Sequence, residues 1–366
     1  MRIGIDARLA VGRRMGIGKH TLHLVRHLLE LDRSNEYLLY LSQPDLEGVL
    51  PTAPNCRQVV LSPAFYPLWE QVALPRAARR DRLDALHCTL NTGPVRPPHG
   101  LKLVVTLHDV IYLLPRDIMP PSPSRYQRLG ARYRAWVTRA LAKRADLIIT
   151  SSRHSRSDLL RLAGAPPERV EVVYPGMDPA WGRDLLSNNA QQVSRRYGAS
   201  AEYVLCLGGV HPRKNTERAI RAFMAAQRRR GGSEQLIVVG LERPPLEGGR
   251  VIFVGYLPDA ELAALYAGAK VFLYPSLYEG FGFPPLEAMA MGTPVICSDT
   301  SSLPEVVGDA AVQVDPRDEE AISRAIADLL SSPDRRAALV AAGYRQVKRF
   351  SWQSCARRTL ELYLEK

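Results

Sequence analysis

Short apolar runs alternate with segments of helical periodicity along most of the chain. The apolar runs have the length and composition of strands buried in a parallel sheet. They predict strands at Arg2–Asp6, Tyr37–Leu41, Ala85–Cys88, Leu101–Leu107, Leu147–Thr150, Tyr203–Leu207, Gln235–Gly240, Arg250–Gly255, Val271–Tyr274, Pro294–Cys297 and Ala311–Val314. The segments between them predict helices at Thr21–Leu31, Leu68–Arg80, Ser124–Arg144, Thr216–Ala226, Ala260–Ala267, Leu286–Met291 and Glu319–Leu330. This alternation predicts an α/β fold with doubly wound parallel sheets.

The pattern restarts after the middle of the chain, which indicates two domains. Pro175-Gly176 is a natural hinge, and the next strand begins at Tyr203. A length of 366 residues also exceeds what one hydrophobic core usually supports. We therefore predict two Rossmann-like domains, residues 1–176 and 177–350, that face each other across a cleft.

The formal net charge is +12, and the positive charge is concentrated in the first half of the chain. Residues 1–176 contain 26 Lys and Arg against 15 Asp and Glu, whereas residues 177–366 contain 23 against 22. A one-sided basic surface favours an anionic partner, such as a membrane face, a lipid pyrophosphate or nucleic acid. An arginine-rich surface without such a partner is the alternative.

The cysteines and the apolar runs bear on the compartment of the protein. The five cysteines are far apart and include no CxxC pair, so we expect reduced thiols, no disulfide and no zinc site. No apolar run is long enough to span a bilayer, and the first residues are too interrupted for a signal peptide. We expect a cytoplasmic protein.

The predicted helix Ser124–Arg144 carries basic side chains around an apolar stripe. A helix of this kind can lie at a membrane interface, but we expect the stripe to pack in the core. Nucleic-acid binding would need aromatic side chains that are free to stack on bases, and we expect those of this helix to be committed to packing. The stripe comprises Tyr126, Leu129, Tyr133, Trp136, Val137, Ala140 and Leu141, and the basic residues are Arg125, Arg128, Arg132, Arg134, Arg139, Lys143 and Arg144.

A glycine-containing loop lies between the strand that ends at Tyr274 and the helix predicted from Leu286. Glycine lets backbone approach a ligand, and amides at a helix start can hold an anion. The backbone that would do so belongs to Gly280, Phe281, Gly282 and Phe283. Glu279 and Glu287 flank the loop, and we expect Glu287 in the first helical turn, so one carboxylate can face a sugar and the other a ribose. A connector with solvated or capping glutamates is the alternative.

The loop Gly208–Asn215 is a second candidate. Its two glycines precede Arg213 and Lys214, whose cationic groups could neutralise a leaving diphosphate. Charges that are only solvated are the alternative.

Two further candidates lie in the first half of the chain. His108 follows a buried strand, where it can donate to a substrate oxygen while Asp109 fixes its tautomer. Gly16 and Gly18 lie in a turn before the first predicted helix, where they could cradle a phosphate or an acceptor. A capping Asp beside a structural His, and an ordinary glycine-containing turn, are the alternatives.

Taken together, these features resemble the family-4 retaining glycosyltransferases of the GT-B fold, nearly from end to end. Glu279–Glu287 matches the E-x7-E motif of that family, and Ser302–Val307 fits its usual sequel. Gly208–Asn215 is similar to its phosphate loop, Gly16–Gly18 to its N-terminal glycine loop and His108-Asp109 to its His-Asp pair.

The resemblance implies a transferase that moves a sugar from a nucleotide-diphosphate donor with retention, without a metal ion or another cofactor. It implies that Glu279 bonds the donor sugar, Glu287 the ribose hydroxyls, and Arg213 with Lys214 the diphosphate. His108 would lie near the hydroxyls of the donor sugar, and it forms the expected catalytic set with Glu279 and Lys214.

Likeness to bacterial mannosyltransferases of surface polysaccharide pathways favours GDP-mannose over UDP-sugars as the donor. The implied acceptor is a glycan or a polyprenyl-diphosphate-linked chain at the inner face of a membrane. Residues 1–176, completed by a C-terminal helix within 351–366, would form the acceptor side. Two positions depart from the family pattern, because Gly209 stands where many relatives carry Arg and His20 where an aromatic residue is common.

Two other functions are compatible with the same fold. One is a non-catalytic GT-B scaffold protein with a decayed donor site, and the other is a sugar-nucleotide epimerase. The retained Glu279, Glu287, Lys214 and His108 disfavour the scaffold, and the E-x7-E pattern disfavours the epimerase. The sequence leaves the oligomeric state open.

Overall fold

The structure is a computed structural model that describes residues 1–12, 14, 16–121, 124–178, 180–182, 190–199, 202–246 and 249–365. The chain divides into two compact units. The first comprises Met1–Leu114, Pro121–Gly176 and Ser351–Lys366, and the second comprises Pro115–Pro120 and Met177–Phe350. In the described part of the chain, no helix is both long and apolar enough to cross a membrane.

The described residues of the first unit form a sheet of seven parallel strands in the order β3-β2-β1-β4-β5-β6-β7. These strands are β1 (Arg2–Asp6), β2 (Glu36–Leu41), β3 (Cys56–Val60), β4 (Ala85–Cys88), β5 (Lys102–Thr106), β6 (Leu147–Thr150) and β7 (Val170–Val172). The α-helices of this unit are α1 (Gly16–Leu31), α2 (Tyr66–Leu68), α3 (Leu74–Arg80), α4 (Arg125–Arg144), α5 (Arg153–Asp158) and the last helix of the chain, α13 (Trp352–Leu364).

The described residues of the second unit form a sheet of six parallel strands in the order β10-β9-β8-β11-β12-β13. These strands are β8 (Tyr203–Leu207), β9 (Gln235–Val239), β10 (Val251–Val254), β11 (Val271–Tyr274), β12 (Val295–Ser298) and β13 (Ala311–Val314). The α-helices are α6 (Ala190–Arg196), α7 (Thr216–Arg230), α8 (Asp259–Gly268), α9 (Phe283–Ala290), α10 (Leu303–Val307), α11 (Glu319–Ser331) and α12 (Pro333–Val347).

Both sheets confirm the predicted fold class. The central strands β4, β11 and β12 are buried along their whole length. Strands covered on both faces have no polar side to alternate with, and this burial explains why they appear in the sequence as continuous apolar runs.

Some elements have no clear signal in the sequence. The edge strand β3 was not predicted, because all of its side chains are exposed or half-buried and it lies in a proline-rich segment. The short helices α5, α6 and α10, together with α12, were also missed. The helix predicted at Leu68–Arg80 is interrupted, since a π-helical turn at Trp69–Ala73 separates α2 from α3 and Pro75 cannot donate a helical hydrogen bond.

The basic helix α4 differs from its prediction over the residues before Val137. Its buried residues, Val137, Thr138, Leu141 and Ala142, all lie in the second half. The expectation of core packing is correct from Val137 onward, but it is wrong for Tyr126, Leu129 and Trp136, which are exposed. The argument against nucleic-acid binding from packed aromatic residues therefore fails for this helix.

The C-terminal helix α13 packs on α1 within the first unit. Trp352, its first residue, stacks on His23 with ring centroids 5.1 Å apart and meets His20 edge-on at 5.2 Å. Gly176 permits this contact, because a Cβ atom there would lie 2.1 Å from the Trp352 amide nitrogen. At the other end of the helix, Lys102 Nζ donates to the carbonyl oxygen of Leu362 at 2.9 Å.

Candidate functional site

Three polar side chains of the second unit converge on one oxygen of Glu279. Arg213 Nη1 and Lys214 Nζ each lie 2.9 Å from Glu279 Oε1, and the Tyr274 hydroxyl donates to the same oxygen at 2.7 Å. Lys214 Nζ also donates to the Tyr274 hydroxyl at 2.6 Å. The structure thus brings Arg213 and Lys214 of one predicted motif together with Glu279 of another. It adds Tyr274, which the sequence analysis did not identify.

Charge keeps Glu279 ionised in this cluster. Burial by itself would raise the pKa of Glu279, but the positive charges of Lys214 and Arg213 and the hydrogen bonds from Lys214 and Tyr274 outweigh it, so the pKa is lowered. Burial raises the pKa of the Tyr274 phenol, as does the nearby Glu279 carboxylate. Two cations against one carboxylate leave one positive charge in excess, which suits an anionic ligand.

The loop that carries both cations is fixed by the backbone. Residues Pro212–Lys214 form a 3₁₀ turn, and Asn215 ends it in the left-handed region with φ 57°. Its Nδ2 donates to the carbonyl oxygens of Pro275 at 2.9 Å and Pro316 at 2.7 Å. Because Asn tolerates this conformation better than most residues, Asn215 both turns the chain and ties the cationic loop to the loop after β11.

Two serines, which the sequence analysis did not single out as anchors, hold the loop between Glu279 and α9. Ser302 Oγ donates to the carbonyl oxygens of Glu279 at 2.9 Å and Phe281 at 2.5 Å. Ser301 Oγ accepts from the Glu279 amide at 3.1 Å. Gly282 has φ 118°, a conformation that L side chains rarely adopt, and α9 begins immediately after it. Within the described residues, no side chain caps this end of α9.

The structure corrects the expected position of Glu287. Because α9 begins at Phe283 rather than near Leu286, Glu287 lies beyond the first helical turn. The helix starts earlier because proline is favoured in a first turn, where its missing amide hydrogen is not needed. Glu287 accepts a long hydrogen bond of 3.3 Å from the hydroxyl of the buried Tyr266. The amides of Phe281, Gly282 and Phe283 therefore lie at the observed start of α9.

The backbone of His108 is held at the carboxyl end of β5 in the first unit. Its amide donates to Asn91 Oδ1 at 2.5 Å, and its carbonyl oxygen accepts from Ser151 Oγ and Ser155 Oγ, each at 2.9 Å. The sequence analysis did not identify Asn91, Ser151 or Ser155 as supports. Because both the amide and the carbonyl oxygen of His108 are hydrogen-bonded, the backbone from which the imidazole extends is fixed.

The imidazole of His108 is neutral and has a defined tautomer. Burial lowers the pKa of His108 to about 4, although the carbonyl oxygen of Thr89 acts in the opposite direction. Nε2 lies 3.1 Å from that carbonyl, which can only accept, so the proton resides on Nε2. Nδ1 is then an acceptor, and His108 in this conformation can accept a hydrogen bond from a hydroxyl group.

The remaining predicted residues of the first unit have other local roles. Asp109 Oδ1 accepts from the Ile111 amide at 3.0 Å, a local turn-stabilising bond. We expected Gly16 and Gly18 in a turn before the first helix. They lie instead in the first turn of α1. A Cβ atom at Gly18 would lie 2.1 Å from the Leu9 carbonyl oxygen, so its close approach is to its own chain. Arg13 and Met15 of that glycine-rich segment lie outside the described residues.

A buried ionic cluster, also unpredicted, lies at the end of β1. Arg8 Nη2 contacts Asp6 Oδ2 and Glu70 Oε2, each at 2.9 Å. The Arg8 guanidinium also lies over the rings of Tyr66, at 4.6 Å, and Trp69, at 4.2 Å. Burial raises the pKa of Asp6 to about 6, while Arg8 opposes the shift. The aromatic faces give the buried guanidinium cation–π contacts in place of water.

The predicted residues therefore fall into two groups. Arg213, Lys214, Glu279 and Glu287 lie in the second unit, whereas His108 and Asp109 lie in the first. Among the residues that the structure describes, no group of three or more His, Cys, Asp or Glu is arranged to hold a metal ion.

Comparison with known proteins agrees with this architecture. The profile described as Glycosyltransferase Family 4 matches residues 15–181, and the profile described as Glycosyl transferases group 1 matches residues 191–346. The two matches correspond to the two sheet-containing parts of the chain.

Two curated relatives from Escherichia coli are named as mannosyltransferases. The chain is 35% identical over 283 residues to O-antigen chain mannosyltransferase B, a match that covers 73% of this chain and 71% of that protein. It is 30% identical over 272 residues to the serotype-specific mannosyltransferase WbdA, covering 70% of this chain and 32% of that protein.

A solved structure shares the fold. WaaG, described as a glycosyltransferase involved in lipopolysaccharide biosynthesis, superimposes with a TM-score of 0.71 at 17% identity, and the match covers 100% of both chains. At this identity the similarity concerns the fold alone. Together with the two family profiles and the relative at 35% identity, it shows that the chain belongs to the family-4 glycosyltransferases of the GT-B fold.

Proposed function

We propose that this glycosyltransferase moves mannose from a nucleotide-diphosphate donor, GDP-mannose in preference to UDP-sugars, to a glycan or polyprenyl-diphosphate-linked acceptor. The reaction would retain the anomeric configuration and need no metal ion. Support for mannose comes from the names of the two relatives, O-antigen chain mannosyltransferase B and the mannosyltransferase WbdA. The name O-antigen chain mannosyltransferase B also supports a role in polysaccharide synthesis. We further propose that the protein acts in the cytoplasm, at the inner face of a membrane.

The observation that carries the proposal is the convergence of Arg213 and Lys214 on Glu279. Breaking the bond between the anomeric carbon and the diphosphate oxygen leaves negative charge on the diphosphate. Two cations held in place before the reaction stabilise that charge without rearranging. The start of α9 adds the positive end of a helix dipole, so this chain can supply positive charge from its own groups.

The two motif carboxylates act as hydrogen-bond acceptors in this scheme. Glu279 stays ionised because its pKa is lowered, so it can accept from a hydroxyl of the donor sugar but has no proton to donate at neutral pH. Glu287 accepts from the ribose hydroxyls. Neither carboxylate serves as the acid of an acid–nucleophile pair of the kind used by glycoside hydrolases, and attack from the face of the departing diphosphate accounts for retention.

His108 acts in the same way from the first unit. With its proton on Nε2 and its pKa lowered to about 4, the neutral ring offers Nδ1 to a hydroxyl of the donor sugar. Its role is therefore to orient the sugar rather than to carry positive charge.

A transfer assay with a panel of donors tests the proposal. Purified protein is incubated with GDP-mannose, UDP-glucose or ADP-glucose and a synthetic mannosyl acceptor, with and without a chelator, and the product is characterised by NMR. We expect transfer from GDP-mannose that the chelator does not reduce, with an α-linked product from the α-linked donor. An inverted product would contradict retention, and loss of activity in the chelator would contradict metal independence. Transfer only from another donor would contradict the assignment of GDP-mannose.

The same assay separates the two alternatives of the same fold. Complete absence of transfer from every donor, in protein that still binds nucleoside diphosphate, would favour a scaffold. Conversion of the donor to an isomer without an acceptor would favour an epimerase.

A further inference from the structure

The apolar stripe of α4 extends beyond the core that buries it. Tyr126, Leu129, Tyr133 and Trp136 share one face with Val137 and Leu141 at 3.6 residues per turn. From Val137 onward this face is buried, whereas before Val137 Tyr126 is 80%, Leu129 63% and Trp136 54% exposed. Large apolar side chains aligned on an exposed helical face usually mark an interaction surface.

The flanks of this exposed face carry positive charge alone. Arg125, Arg128 and Arg132 lie beside the stripe, and α4 contains no Asp or Glu in its 20 residues. A shallow cavity of about 250 Å³ is lined by these three arginines and Leu129. Guanidinium groups around an apolar side chain can pair with phosphate groups while the apolar side chain enters the layer beneath them.

We propose that the segment of α4 from Arg125 to Trp136 is the surface by which this protein contacts an anionic lipid bilayer. Aromatic and aliphatic side chains enter the boundary between headgroups and acyl chains, and the arginines pair with lipid phosphates. The arginines would repel a partner whose contact surface is positive, and nucleic acid would use the arginines without needing Leu129. The inference deepens the proposed membrane location but is independent of the donor site.

Trp136 provides a direct reporter of this contact. It is the exposed one of the four tryptophans, since Trp69, Trp181 and Trp352 are buried. Addition of vesicles of about two parts phosphatidylcholine to one part phosphatidylglycerol should shift the emission to shorter wavelength and protect it from acrylamide. Pure phosphatidylcholine should do neither. A Trp136→Phe variant should lose the shift, and an unchanged shift in that variant would overturn the proposal.

Vesicle co-sedimentation with matched variants separates the apolar from the charged contribution. We expect Leu129→Ser/Trp136→Ser and Arg125→Glu/Arg132→Glu each to lower the partition coefficient by at least about tenfold. The controls carry the same kinds of change at exposed positions elsewhere: Leu46→Ser/Leu364→Ser, and Arg26→Glu/Arg335→Glu. Equal binding by the Ser double variant and its control would overturn the proposal, as would binding that single-stranded RNA removes completely.

Transfer to a soluble acceptor distinguishes this inference from the proposed function. The α4 variants should transfer mannose to a soluble acceptor as the wild type does, because none of the altered residues belongs to the donor site. If the wild type binds vesicles but transfers nothing, the proposed function fails while the membrane surface stands. If transfer is normal and the wild type does not bind anionic vesicles, the membrane surface is wrong.

Discussion

At the scale of residues, the proposed diphosphate site depends most on the positive charge of Lys214. Its ammonium group contacts both the Glu279 carboxylate and the Tyr274 hydroxyl, so its position is fixed before a ligand arrives. The sequence identified Lys214 from its place after a glycine-containing turn, but not the tyrosine that helps to hold it. Tyr274 is the last residue of the buried strand β11. Aromatic side chains are common in buried strands, so its sequence position did not indicate a functional role.

Replacing Lys214 by Ala should lower transfer by about tenfold to a thousandfold, because a preorganised cation is lost from the leaving diphosphate. The rate of transfer from GDP-mannose measures the effect, and circular dichroism checks that the variant is folded. Lys270→Ala is the matched control, since Lys270 pairs with Glu202 elsewhere in the same unit. Wild-type turnover in Lys214→Ala would refute the diphosphate assignment.

Tyr274→Phe should lower kcat/KM for the donor by about tenfold, since the phenol bonds to both Lys214 and Glu279 and a lost bond of this kind is worth about 1–3 kcal/mol. Tyr203→Phe is the control, because Tyr203 is also a buried strand tyrosine and donates to the Leu265 carbonyl oxygen at 2.8 Å. Both variants should lose comparable stability in denaturant titrations. Equal loss of activity in both would mean that Tyr274 acts only through stability.

At the scale of elements, α13 is attached to the first unit by close packing at Gly176 and by hydrogen bonds to His87 and Lys102. Gly176 leaves space for the backbone of Trp352, and His87 lies 2.6 Å from the Tyr363 hydroxyl through Nδ1 and 2.7 Å from the Thr106 hydroxyl through Nε2. The sequence indicated an amphipathic final helix, but contacts between residues so distant along the chain could not be read from periodicity.

Gly176→Ala should destabilise the first unit by about 1–3 kcal/mol or more, because the new methyl group would overlap the backbone of Trp352. Gly130→Ala is the control, since nothing lies within 4 Å of a Cβ atom at that helical position. Ala in place of Gly within a helix should instead stabilise by about 0.5–1 kcal/mol. Denaturant unfolding followed by tryptophan fluorescence gives both values, and equal stability of the two variants would contradict the packing at Trp352.

The stability of the first unit should fall in acid through its buried histidines. Burial lowers the pKa of His87 to about 3, and the nearby His108 contributes in the same direction. Since the unfolded chain protonates first, near the ordinary value of about 6.5, stability from this residue is complete above that pH and is lost as pH falls toward the folded value. At about pH 5 the loss from one such histidine is about 2 kcal/mol.

Denaturant titrations at about pH 7.5 and about pH 5 measure this loss. In His87→Gln, which keeps hydrogen-bonding groups but does not titrate, the difference between the two pH values should shrink by about 2 kcal/mol. The same pH dependence in the variant and the wild type would show that His87 is not the group responsible.

At the scale of the whole molecule, the proposed function assigns nucleoside diphosphate to the second unit. A ligand present at a hundred times its Kd stabilises the state that binds it by about 2.7 kcal/mol. Hydrogen exchange with GDP should therefore slow in residues 208–216 and 279–290, which contain the cationic loop and the start of α9. Exchange that slows only in residues 1–176 would mean that the first unit binds the diphosphate, which would contradict the proposed site.

The sequence by itself determined the α/β class, the two parallel sheets and the loops that hold Lys214, Glu279 and His108. These features depend on local patterns, because a strand buried on both faces must be apolar and a loop that approaches a ligand needs glycine. Family membership followed from the same loops. The edge strand β3 was beyond this reasoning, since an exposed strand has no apolar signature.

Only the tertiary structure decided which side chains meet and which faces stay uncovered. It joined Tyr274 to Lys214 and Glu279 and placed His87 beside Tyr363. It also left the apolar stripe of α4 exposed before Val137, although the stripe is continuous in the sequence. Periodicity gives the face of a helix on which a residue lies, but not how far the neighbouring core extends along that face. Contacts between distant segments depend on how the whole chain packs, and local sequence does not contain that information.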